Sequence, residues 1–151
     1  YTLSLGYFTL FSSDFVSPNG TPIVAATENI EYRIFDNQVL KENLIRQDFD
    51  IEITNTFNRS FEISLNFLDN NRNNTYQQIR YVVPANTQNF KESIVIDNIN
   101  TSNSRIKDTE RITVSISLED ASVPLGPDTV GAFNFQSSTT IYLKTSIKEG
   151  E

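Results

Sequence analysis

The sequence predicts an all-β fold, an antiparallel β-sandwich of two sheets, and three observations carry that prediction. The apolar residues are of the kinds that fit a pleated surface. Ile, Val and Thr fill 40 positions and Phe and Tyr 17 more, against 5 Ala and no Met. Long stretches alternate with period two. In DFDIEITNTFNRSFEISLNFLDNN, Phe49, Ile51 and Ile53 oppose Asp50, Glu52 and Thr54, and then Phe61, Ile63, Leu65 and Phe67 oppose Glu62, Ser64 and Asn66. Turn residues recur roughly every eight to twelve positions, the spacing of a sandwich or barrel.

The first strand runs from Tyr1 to Phe11, with Tyr1, Leu3, Leu5, Tyr7, Thr9 and Phe11 on one side. Its other side begins polar at Thr2 and Ser4 and turns apolar at Phe8 and Leu10, so something must cover both faces of its second half. SPNGTP is a turn with Asn19 and Gly20 as a left-handed pair. Ile30, Tyr32 and Ile34 start a second strand, and Asp36-Asn37 turns the chain back along 38–40; the alternative is a helical turn joining Leu40 and Leu44. Strands over about 49–57 and 60–68 form a hairpin around Asn58-Arg59. Next come strands over 75–83, ended by Pro84, and 89–97. NINTSNSRIKDT is a long polar loop. Residues 110–118 alternate most cleanly, with Ile112, Val114, Ile116 and Leu118 inward. VPLGPD is a loop, and strands over 131–136 and 139–147 close the chain.

These eight to nine strands, each with one dry face, pack as an antiparallel immunoglobulin-like sandwich. Parallel α/β architecture needs helical crossovers, and no segment supplies them. The 151 residues suit one domain over 1–151. A chain that opens directly into a strand without Met implies a signal or tether segment ahead of Tyr1.

Net charge is −7 and no basic cluster offsets it, which argues against nucleic-acid binding. No run reaches the roughly 18 apolar residues of a membrane helix. His and Cys are absent, which removes imidazole bases, His triads, thiol nucleophiles and zinc–thiolate sites. Ser104 and Lys107 match Ser-x-x-Lys, but in a loop and without companion motifs. Asp50 and Glu52, with Glu62 opposite across the predicted hairpin, could form a carboxylate pair for glycoside hydrolysis, yet strand carboxylates facing water are usually solubility devices. The sequence therefore points to a protein that is not an enzyme and carries no cofactor.

Binding motifs are sparse. Asp69, Asn71 and Asn73 fit D-x-N-x-N, the first half of a calcium loop, but position six is Asn74 instead of Gly and position twelve is Arg80 instead of Glu. An Asn-rich turn explains the run better. Tyr76 and Tyr81 are candidate glycan contacts, read against the more common role of Tyr as a rim residue with a buried ring and a wet hydroxyl. Asn19, Asn58, Asn73 and Asn100 match N-x-S/T. Tyr7, Phe8, Leu10 and Phe11 are the candidate protein contacts.

The Asn, Ile and Thr bias, with stretches such as EYRIFDNQVLKENL, resembles the envelope and surface β-sandwich proteins, often lipoproteins, of Bacteroidota-type bacteria. That resemblance implies a location in the cell envelope, periplasmic or on the outer surface, with a lipid anchor ahead of Tyr1 as the only membrane contact. It implies an accessory role in an outer-membrane or surface assembly, with a protein partner. Asp128-Thr129-Val130 resembles the O-glycosylation signal of that group, with Thr129 as acceptor. A carbohydrate-binding module and an adhesin or pilus-like subunit that donates its first strand are the rival roles.

Overall fold

The computed structural model describes residues 1–144. Its strands are β1 Thr2–Leu10, β2 Ala25–Glu31, β3 Leu44–Asn55, β4 Phe61–Leu68, β5 Ile79–Val83, β6 Thr87–Ile96, β7 Arg111–Leu118 and β8 Phe133–Leu143. They form two antiparallel four-stranded sheets, in the orders β1-β8-β3-β6 and β2-β7-β4-β5. The two-sheet sandwich is the one the alternation predicts. Its connectivity refines the immunoglobulin-like expectation, because this strand order is that of an eight-stranded jelly roll.

The alternating apolar residues face one another across the sandwich. Phe49, Ile51 and Ile53 of β3 and Phe133 and Phe135 of β8 lie against Phe61, Ile63, Leu65 and Phe67 of β4 and Ile112, Val114 and Ile116 of β7, all buried. Aromatic edges lock the layers. Phe49 meets Phe67 at 5.6 Å and Phe61 meets Phe133 at 5.2 Å between ring centroids, both edge-on. Phe15, Phe57 and Leu125 bury themselves at one end of the sandwich, and Tyr32, Phe35, Leu40, Ile99 and Ile106 at the other.

Five expectations are corrected. The strand pair around Asn58-Arg59 is no hairpin: β3 and β4 belong to different sheets, and the connection crosses between layers. The chain after Tyr32 does not return as a strand. It forms a short 3-10 turn at Ile34–Asp36 and then helix α1, Gln38–Asn43. Asn37 starts that helix by accepting from the backbone N–H groups of Val39 and Leu40 at 3.0 and 3.2 Å. The polar loop before β7 contains a 3-10 turn, Ser104–Asp108, pinned by buried Ile106. The two final strands are one continuous β8; residues 145–147 of the second expected strand lie outside the described residues. In the SPNGTP turn only Gly20 has positive φ.

A sixth correction concerns β1. Thr2 pairs with Thr140 and Ser4 with Ser138, but Tyr7 pairs with Gln136 and Leu10 with Phe133, so one extra residue enters around Leu5-Gly6. This bulge reverses the faces. Leu3 and Leu5 face inward before it, Phe8 and Leu10 after it, and Tyr7, Thr9 and Phe11 are left outside. Ser137 Oγ donates to the Gly6 carbonyl at 2.8 Å at the crossover. The strand has one dry face throughout, and the domain's own second layer covers it.

Candidate functional site

β1 and β6 are the edges of one sheet, and its outer surface is built of cross-strand rows. Ser4, Ser138, Asp50 and Ser93 form one row, and Tyr7, Gln136, Glu52 and Lys91 the next. The short side chains of the first row leave a groove of about 490 Å³ running across the strands. Lys91 lies 3.3 Å from Glu52. Beyond the groove the groups pair among themselves. Thr2 and Thr140 share a hydrogen bond at 3.0 Å, Arg46 donates twice to Asp48 at 2.9 Å and covers the Tyr142 ring at 4.6 Å, and Asn134 Nδ2 donates to Thr9 Oγ1 at 2.8 Å.

The four candidate protein contacts separate. Phe8 stacks inward on Phe135 and Leu10 is buried, whereas Tyr7 is 75% exposed and Phe11 54% on the outer side of the edge strand. The bulge produces this division, and its traces in the sequence are Gly6 and the shift of the apolar positions from Leu3 and Leu5 to Phe8 and Leu10. β1 is paired to β8 of its own chain. Tyr1 and Ile141 also exchange two hydrogen bonds at 2.7 and 2.8 Å, so the sheet needs no strand from another subunit.

The D-x-N-x-N run is an Asx turn. Asp69 Oδ1 accepts from the backbone N–H groups of Asn71 and Asn73 at 2.8 and 2.9 Å, and Oδ2 accepts from Arg105 at 2.7 Å. The Asn73 N–H and the Arg105 guanidinium hold this carboxyl below its ordinary range, and partial burial opposes them. Asn71 and Asn73 are exposed. A guanidinium thus occupies the side of Asp69 that a cation would take, and among the described residues no group of three or more acidic side chains could hold a metal.

Tyr76 and Tyr81 both turn their rings inward. Tyr76 packs edge-on to Phe67 at 5.8 Å, and Tyr81 packs edge-on to Phe90 at 6.0 Å, where β5 and β6 close one side of the sandwich. Burial raises both hydroxyl pKa values, with the nearby carboxylates Asp97 and Glu92 adding to it. Tyr76 still borders a polar cleft with Asn74, Gln77 and Asn103. Asp50 and Glu52 lie on one sheet and Glu62 on the other, so the suggested carboxylate pair is not assembled across a hairpin. Lys107 Nζ donates to Asn100 Oδ1 at 3.2 Å. Thr129 is half-buried in the loop before β8, beside Val130 at 90% exposure. Asn19, Asn58, Asn73 and Asn100 are all exposed.

The fold defines a jelly-roll β-sandwich. No family model matches the chain, and no curated protein matches it in sequence. Among solved structures it is similar to the enzymatically active domain of bacteriophage CBA120 tailspike protein 4, at 14% identity and TM-score 0.45, over 93% of this chain and 19% of that one. It is similar to a chain of desmodium yellow mottle tymovirus at 10% identity and TM-score 0.41, over 100% of this chain and 91% of that one. It is also similar to the CBM22-1–GH10 modules of a Clostridium thermocellum xylanase, solved with xylohexaose, at 15% identity and TM-score 0.36, over 92% of this chain and 26% of that one. These likenesses say nothing of function. Among the described residues no helix is long and apolar enough to cross a membrane.

Proposed function

We propose that this domain works by contact instead of catalysis, as an accessory part of a protein assembly in a bacterial cell envelope or on its outer surface. One observation carries the reading. The bulge in β1 turns Phe8 and Leu10 inward yet leaves Tyr7 and Phe11 outside, on an edge strand. Exposed aromatic rings offer large contact area at small entropic cost, and aromatic residues are enriched at protein interfaces. An edge strand adds unpaired backbone groups that a partner strand can use. The Asn, Ile and Thr composition supports the envelope location.

The test is recovery of a stoichiometric complex from detergent-solubilised envelopes of the source cell, using the wild-type domain and the Tyr7→Asp/Phe11→Asp variant as baits. The expected result is an envelope protein retained by the wild type and lost by the variant, with both baits melting alike. A partner held equally by both baits moves the interface elsewhere. No retained partner from intact envelopes removes the reading.

A further inference from the structure

The groove on the outer face of the β1-β8-β3-β6 sheet contains a contiguous set of unused polar groups. Ser4, Ser138, Asp50 and Ser93 form its floor, and Gln136 its wall. None of these five side chains makes a hydrogen bond or ion pair with another described residue. The rows beyond it behave differently: Thr2 is joined to Thr140, Arg46 to Asp48, and Asn134 to Thr9. Self-pairing is thus the rule on this face, and the groove is the exception.

The unused groups define what could fill the groove. Three hydroxyls and one amide each donate and accept, and the matching ligand group does both, which is the property of a sugar hydroxyl. An extended peptide presents its N–H and C=O groups sideways, to a strand edge, and meets a sheet face with side chains instead. Charge narrows the choice. The Asp50 carboxylate has no cation beside it among the described residues, and Lys91 already faces Glu52 at 3.3 Å. A uronic acid or a sulfated or phosphorylated sugar would be repelled, whereas a vicinal diol can donate to both oxygens of Asp50. Three strand spacings give a floor about 14 Å across, the span of a short oligosaccharide. Tyr7, in the row of Gln136, puts an exposed ring at the β1 end, where it can stack on a sugar face.

We infer that this groove is a binding site for a glycan without negative charge, lying across the four strands with Asp50 as its central acceptor. This goes beyond the protein contact proposed above and stands or falls separately from it.

The test is a titration of the isotope-labelled domain, followed by amide NMR shifts. The probes are neutral oligosaccharides of glucose, mannose, galactose and xylose at millimolar concentration, a polyuronate oligomer, and a Lys-rich peptide. At least one neutral oligosaccharide should shift amides around Ser4, Asp50, Ser93, Gln136 and Ser138. Its affinity should fall about tenfold or more in Asp50→Ala and several-fold in Gln136→Ala, with unchanged melting. Because Tyr7 borders both surfaces, Phe11→Asp serves as the control: it should leave sugar binding intact while weakening the envelope complex. No shift with any neutral sugar overturns the inference. So does stronger binding of the polyuronate, or binding of the basic peptide alone in this groove.

Discussion

Phe8 lies flat on Phe135, with ring centroids 4.9 Å apart and planes 12° from parallel. Tyr7, one residue earlier, points the other way. The strand that looked apolar on both sides is therefore a dry face and a wet face offset by one inserted residue.

Phe8→Ala should destabilise the domain by about 2–3 kcal/mol, less than the ~3–5 of a fully buried Phe because this ring is only half covered. Phe8→Asp should unfold it, while Tyr7→Asp should change stability by under about 0.5 kcal/mol. Urea unfolding followed by circular dichroism separates the three. If Tyr7→Asp is as damaging as Phe8→Asp, the faces assigned on either side of the bulge are wrong.

In β7, Ile116 is fully buried between Ala26 and Ile63 of the flanking strands, and Ser115 looks outward. Ile116→Ala is expected to cost about 2–5 kcal/mol and Ser115→Ala less than about 0.5. Equal denaturation midpoints for the two variants would contradict the packing.

Gly131 has φ +145, and a Cβ placed there would sit 2.6 Å from Phe57 Cδ1 and 2.9 Å from its Cα. Phe57 is fully buried and has nowhere to withdraw. Gly131→Ala should therefore cost about 2–4 kcal/mol from backbone strain and overpacking together. Gly20→Ala meets nothing within 4 Å, so strain alone remains and the loss should be smaller. Thermal melts of the pair decide this.

Asp69 makes stability depend on pH. Its folded-state carboxyl titrates below the ordinary 3.8, so its contribution is present above that value and is lost as pH falls through the lower folded value. Asp69→Asn should melt below the wild type at neutral pH, and the gap should close in acid below about pH 4. Excess calcium should leave the wild-type melting temperature unchanged, because Arg105 already holds the carboxylate. A clear rise with calcium that disappears in Asp69→Ala would show a metal site where an Asx turn is described.

The strongest alternation was the most legible part of the sequence. The faces of β4 and β7 and most of β3 follow directly from it, because each residue there has one wet or dry environment. Sheet order was not legible, since the pairs β1 with β8 and β3 with β6 join segments far apart in sequence. Helix α1 was outweighed because its six residues offer little periodicity, and its evidence lies in the Asn37 side chain. The groove was invisible for the same reason as the sheet order. Ser4, Asp50, Ser93 and Ser138 become neighbours only through cross-strand register. The D-x-N-x-N run forms an Asx turn, as its Asn content suggests, but its Arg105 partner lies 36 residues away and could not be read from the run itself.

The slip at Leu5-Gly6 also makes β1 a strand with two reading frames. Leu5 and Gly6 together stand opposite Ser137 alone, so removing Gly6 would leave one residue against one and return β1 to unbroken alternation, with Tyr7 still against Gln136 and Phe8 still over Phe135. This is the place in the strand where the chain can lose a residue and keep both faces. The same deletion between Tyr7 and Leu10 has no spare residue to absorb it, and it would put part of the strand out of phase with β8, striking the core and the outer face together.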